Sequence, residues 1–261
     1  MPIAYLSQLT AKPRTSEANL HIGIVLTIVA GALNAGGFLA IGQYTSHMTG
    51  MVSTFADQIV LHNFVLATVA LVSWLAFVCG AATTAILVNY QRRRRVANIY
   101  AVPLLMEAAL ILLFGSFGGT LERHEFGDVS LAVITLCFTM GLQNALITKI
   151  SRAEIRTTHV TGLTTDMGIE LGKLFYWNRS RAHNVSSTHD TDGQHARVAV
   201  IANRGKLRVH ATLIASFVLG GVAGAFGFKY LGFISAAPLA LALAIIAIAP
   251  AFHRAGAQEN V

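Results

Sequence analysis

The sequence predicts an all-α membrane protein, with six transmembrane helices plus two short re-entrant helices arranged as an inverted repeat of three spans and three. Three observations predict it. Apolar runs recur at 20–42, 65–89, 99–118, 128–148, 208–228 and 231–249, each close to the ~20 residues that carry a helix across ~30 Å of hydrocarbon. The chain is 54% hydrophobic and only 12% charged, about half the charged share of a soluble domain. Finally, Thr45-Ser46-His47-Met48-Thr49-Gly50 returns as Thr157-Thr158-His159-Val160-Thr161-Gly162, so one unit is written twice.

In chain order, residues 1–19 form an N-terminal cytoplasmic segment bearing Lys12 and Arg14. The run that follows exceeds the ~7–15 apolar residues of a secretory signal and is read as a retained helix. Residues 20–118 make the first membrane repeat, 119–127 an external loop, 128–250 the second repeat with a polar cytoplasmic insert at 177–206, and 251–261 a tail. Gly31, Asn34 and Ala35 match Gly141, Asn144 and Ala145. Phe77-Val78-Cys79-Gly80 through Tyr90 matches Phe217-Val218-Leu219-Gly220 through Tyr230, and Ala101-Val102-Pro103-Leu104 matches Ala236-Ala237-Pro238-Leu239. Small residues recur wherever membrane helices pack, and Gly220, Gly221 and Gly224 are assigned to that role. Packing does not explain His, Thr, Asn, Tyr and Pro in register. Three spans in each copy make an odd number of crossings, which inverts the second copy relative to the first.

The motif segments 48–61 and 162–176 are short, roughly 20 Å as helices, and polar, with Asp57 in one and Asp166, Glu170 and Lys173 in the other. If both return to the side they left, with the termini cytoplasmic, sixteen basic residues lie inside against Arg123 and Lys229 outside. If both cross, the count is ten against eight. A mixed arrangement scores fourteen against four but makes the copies unlike. The positive-inside rule prefers two re-entrant segments. The net charge of +7 is therefore a topology signal rather than a nucleic-acid footprint.

Non-helical backbone at membrane depth must be buried in protein or reached by water, so the two turns face the bundle interior. An ionisable side chain there is a functional candidate, which selects His47 and His159. The other reading of these imidazoles is that each holds its own turn. Thr49, Gly50, Thr161 and Gly162 open short helices whose free N–H groups suit an anion or polar group. Asn34 and Asn144 are equivalent amides that either bond between helices or touch a ligand. Asp57, Glu107, Asp166 and Glu170 are candidates for proton or ion coupling. Glu107 stands out because its counterpart is Ala242. The insert residues His183, His189, Asp190, Asp192 and His195 fit no zinc spacing, so neither metal nor cofactor is expected. Gly115-Ser116-Phe117-Gly118 finds no activating His in the last span and no phosphate-binding loop is present, so no enzymatic activity is expected.

Ala30-Gly31-x-x-Asn34-Ala35-x-Gly37-Phe38-Leu39, then His47-Met48-Thr49-Gly50, then Arg156-Thr157-Thr158-His159-Val160-Thr161-Gly162 with Asp166 following resemble the YoaK-like bacterial membrane proteins of domain of unknown function 1275. The resemblance runs from about 20 to 250. It implies a six-span protein of the bacterial inner membrane, with Asp common at the place of Asn34 and Asn at that of Met51, and it supplies no substrate. The repeat itself points to a small secondary transporter or channel for a small polar or anionic solute, whose partners are that solute and the lipid bilayer. A homo-oligomer is left open. A non-transporting scaffold or sensor is the alternative, with 177–206 engaging a cytoplasmic protein.

Overall fold

A computed structural model describes residues 15–96, 98–117, 126–151, 155, 157–183 and 202–258. The described residues are helical, with no strand among them. Helix α1, Ser16–Ile41, starts where the Thr15 side chain accepts from the Ala18 N–H at 3.1 Å. It ends at Gly42, whose φ of 73° lies in the left-handed region and whose N–H returns to the Phe38 carbonyl. Glycine reaches that conformation without steric cost, so the helix stops there. Helix α2, Met48–Val60, is followed by α3, Phe64–Arg93, capped by Asn63. Helix α4, Ala101–Ser116, carries Pro103 in its first turn, where a missing N–H costs nothing. Then come α5, Phe126–Ile150, α6, Val160–His183, and α7, Arg204–Leu231. A 3-10 turn, Gly232–Ser235, leads straight into α8, Ala236–Gln258.

Among the described residues, four stretches are long and apolar enough to cross a membrane: Glu17–Ile41, Phe64–Arg93, Leu131–Ile150 and Arg204–Ala249. The last contains α7 and the first part of α8, and Ala101–Ser116 is a shorter apolar helix. Large apolar side chains such as Leu39, Phe64, Ile86, Leu112, Leu219 and Ile234 are exposed. A water-soluble surface would not carry so many, whereas a lipid-facing one does.

The second motif helix corrects the expected 162–176. It runs Val160–His183, 24 residues, because neither Gly nor Pro interrupts the chain between Lys173 and His183. Its length would suffice to cross, but its polar residues keep it out of the apolar spans. The insert positions His189, Asp190, Asp192 and His195, with the His183 side chain, lie outside the described residues.

The chain divides into two compact units. One comprises residues 1–158 with 216–261, and the other residues 159–215. In the first, α3 packs mainly on α5, α4 on α8 and α2 on α3. Leu26, Leu33, Leu104, Leu136, Met140 and Leu146 are fully buried there. Phe114 meets Phe228 and Phe233, with ring centroids 5.9 and 5.3 Å away. Contacts also give helix directions. Gly23 lies by Ile147, Gln143 Nε2 donates to the Leu26 carbonyl at 2.8 Å, and Gly37 lies by Leu136, so α1 and α5 run antiparallel. Gly220 lies against Ile28, Gly224 against Ala32 and Gly36 against Phe228, so α1 and α7 run parallel.

Candidate functional site

The turn after α1 does not leave the helix it follows. Asn34 Oδ1 accepts from the Ser46 N–H at 3.2 Å and from Ser46 Oγ at 2.9 Å. Asn34 lies two helical turns before the end of α1, so residues 42–47 fold back along that helix by roughly 10 Å. Thr45 is fully buried in the fold-back. The second copy repeats the arrangement. Asn144 Nδ2 donates to Thr158 Oγ1, and Thr157 Oγ1 donates to Asn144 Oδ1 at 3.3 Å. Thr157, like Thr45, is fully buried. The two asparagines thus anchor the two motif turns through bonds to the chain that follows their own helices.

With the turn held by Asn34, His47 is released from that duty. It sits at the N-cap of α2 but makes no capping hydrogen bond through its side chain, and it is exposed. Its ring lies over Gly50, where a Cβ would collide with the imidazole. In the second unit, a Cβ on Gly162 would stand 3.5 Å from His159 Nδ1. His159 is likewise exposed. Gly50 therefore leaves room for the His47 imidazole over the first turn of α2, whereas a Cβ at Gly162 would make only an ordinary contact with His159. Thr49 and Thr161 are exposed on those first turns.

The carboxylates do not gather at the turns. Asp57 is exposed about 14 Å further along α2. In the second unit, Asp166 pairs with Lys206 at 3.2 Å, and Glu170 bonds Lys173 Nζ at 2.9 Å and the Asn203 N–H at 2.7 Å. Glu107 is fully buried within α4. The α2–α3 cavity lined by Met51, Val52, Phe55, Ala70, Leu71 and Trp74 is wholly apolar, which suits hydrocarbon rather than a polar solute. Among the described residues no group of three His, Cys, Asp or Glu side chains is placed to hold a metal ion.

The Lys173 ammonium, and then the Asn203 N–H, hold the Glu170 carboxyl below its usual range. A folded value below the unfolded one, near ~4.3, makes this tie present above the unfolded value and lost as pH falls through the folded one. Amide exchange at Asn203 is expected to stay slow as pH falls through the unfolded carboxyl value, to quicken only as the lower folded one is passed, and to become fast at neutral pH in Glu170→Ala.

Sequence reading missed a further correspondence. Asn63 caps α3 by accepting from the Leu66 N–H at 3.3 Å, and Asn203 caps the start of α7 by accepting from the Lys206 N–H at 2.9 Å. The Asn63 N–H returns to the Gln58 carbonyl, while the Asn203 N–H goes to the side chain of Glu170, the residue matching Gln58. The insert between Glu170 and Asn203 shifts the register of the two copies and hides the match.

The helix contacts repeat as well. A Cβ on Gly31 would overlap the Phe217 carbonyl, and one on Gly141 the matching Phe77 carbonyl. A Cβ on Gly220 would overlap the Ile28 carbonyl, and one on Gly80 the matching Phe138 carbonyl. Gly224 lies against the Ala32 carbonyl, and at the matching place Thr84 Oγ1 donates to the Leu142 carbonyl at 2.9 Å.

Residues 22–249 match the family model described as "Protein of unknown function (DUF1275)". The chain belongs to this family. Among its relatives, the UPF0700 transmembrane protein YoaK of Bacillus subtilis (strain 168) is 23% identical over 154 residues, covering 58% of this chain and 67% of that protein. The UPF0700 transmembrane protein RA0705 of Rhizobium meliloti (strain 1021) is 25% identical over 162 residues, covering 62% of this chain and 65% of that one. The matched stretches thus span about two thirds of those relatives. No solved structure matches. Family membership and the apolar helices make this a multi-pass membrane protein in contact with the lipid bilayer.

Proposed function

We propose that the protein is a small secondary transporter or channel for a small polar or anionic solute, working through its two asparagine-anchored turns in an inverted repeat of three spans and three. The observation that carries this reading is the same device built twice. An Asn fixes a turn folded back along its own helix, and the imidazole that follows is exposed. A scaffold has no need of an exposed imidazole beside each anchored turn.

Helix directions support six spans. Between α1 and α5 lie α2, α3 and α4, so antiparallel α1 and α5 require that α2 adds no crossing. Parallel α1 and α7 require the same of the motif segment before α7, which disfavours both the eight-span and the mixed arrangements. Sixteen basic residues then face the cytoplasm, with both termini inside the plasma membrane of a bacterium. Alternating access follows from an inverted repeat of this kind. His47 and His159 contact the solute, while Thr49, Gly50, Thr161 and Gly162 offer hydroxyl and backbone donors.

The test is uptake of labelled formate, acetate, phosphate and neutral amino acids into vesicles containing the purified protein. Replacing both His47 and His159 by Gln is expected to abolish uptake of whichever solute is carried while leaving the thermal midpoint within about 2 °C. Deleting 185–200 is expected to leave uptake intact. No uptake of any of these solutes, or unchanged uptake in the double variant, would sink the reading.

A further inference from the structure

We infer that Glu107 is a proton-binding site and that the ion coupled to solute movement is H⁺, an inference that rests on the transport reading above. Glu107 is fully buried on the face of α4 that also carries Leu104, Ala108, Ile111 and Phe114. Neither Oε1 nor Oε2 has a hydrogen-bond partner. The helices packed on α4 are α8, α5 and α3, with the 3-10 turn. Their described titratable side chains are Cys137 and Lys149 on α5 and Cys79, Tyr90, Arg92 and Arg93 on α3. None of these forms a hydrogen bond or ion pair with Glu107. A bare carboxylate so placed would face a solvation cost that no fold of this size sustains. The group therefore holds a proton while the bundle is closed around it.

Packing does not call for a carboxyl at this place. Ala101 and Pro103 match Ala236 and Pro238, and the same register puts Ala242 opposite Glu107 in the other copy. The acid is thus an addition to one copy, with no structural bond of its own to make. Its proton leaves only when water enters: the O–H bond breaks, the electron pair stays on the carboxylate oxygen, and water takes the proton. A rearrangement that wets α4 releases H⁺, and its reversal takes one up. Charge and conformation are thereby tied together without any contact between Glu107 and the solute.

Infrared spectroscopy of the whole protein in phosphatidylglycerol/phosphatidylethanolamine vesicles reads this directly. A carbonyl band of a protonated carboxylic acid is expected at neutral pH and is lost in Glu107→Gln. In D2O it should shift faster than the core amides of α4 exchange, because alternating access wets the acid without unfolding the helix. If the amide variant does not fold, Glu107→Ala, which copies the second repeat, serves instead. Absence of the band, or a band that waits for the core amides, would overturn the proton site. With a carried solute in hand, uptake that ceases to respond to an imposed pH gradient in Glu107→Gln supports the coupling, and unchanged response overturns it. An exchanging band in a protein that takes up none of the solutes would remove the transport reading and the coupling, leaving the proton site itself standing.

Discussion

Valine in place of Gly141 is expected to unfold the protein, and valine at Gly80, Gly31 or Gly220 should do the same. At each position the absent side chain lets one helix rest directly on a carbonyl of its neighbour. The obstacle a new Cβ meets is main chain, which cannot swing aside as a side-chain tip can. The helices must part, and every apolar contact along their seam weakens with them. Even alanine should cost about 1–3 kcal/mol, a large fraction of the ~5–15 kcal/mol that holds a typical domain. Valine should cost more than alanine. Gly168 and Gly172 are the controls, since nothing lies within 4 Å of a Cβ at either. Alanine there should be neutral or stabilising by roughly 0.5–1 kcal/mol, because glycine weakens a helix interior. Thermal midpoints of the detergent-solubilised variants separate the two groups. An unchanged midpoint for Gly141→Val would contradict the close helix approach.

Asn34→Ala is expected to free the first motif turn. The substitution strands the Ser46 N–H and hydroxyl, a loss of about 1–3 kcal/mol. Amide exchange at Ser46 should therefore accelerate by roughly tenfold or more, and uptake should fall with it. Asn34→Asp separates hydrogen bonding from shape. Asn34 acts only as an acceptor toward Ser46, and a carboxylate accepts equally well, so this variant should keep Ser46 protected. Asn144 uses both ends of its amide, so Asn144→Ala should loosen the second turn while Asn144→Asp keeps only the bond from Thr157, unless the Thr158 hydroxyl rotates to donate. Slow exchange at Ser46 in Asn34→Ala would show that the amide does not anchor the turn.

The helical segments were legible because length and apolarity mark them directly. The runs at 65–89 and 128–148 became Phe64–Arg93 and Phe126–Ile150, longer at both ends where polar residues continue a helix beyond its apolar core. The equivalence of Asn34 and Asn144 was legible too, but their task was not. Bonding to Ser46 depends on the chain folding back along α1, and no local pattern in 42–47 announces that path. His47 illustrates the same limit. Its exposure follows from what Asn34 does thirteen residues earlier. The true end of α6 was hidden because apolarity fades near Tyr176 while helix-compatible residues continue to His183. Glu107 could be singled out only because the duplicated copy supplied Ala242 for comparison.

The glycine seams also constrain how the chain is made. Helix α1 is made before α7, yet the carbonyl groove it needs belongs to α7, about 190 residues later. During synthesis the glycine face of α1 must therefore wait in the bilayer until α7 is made.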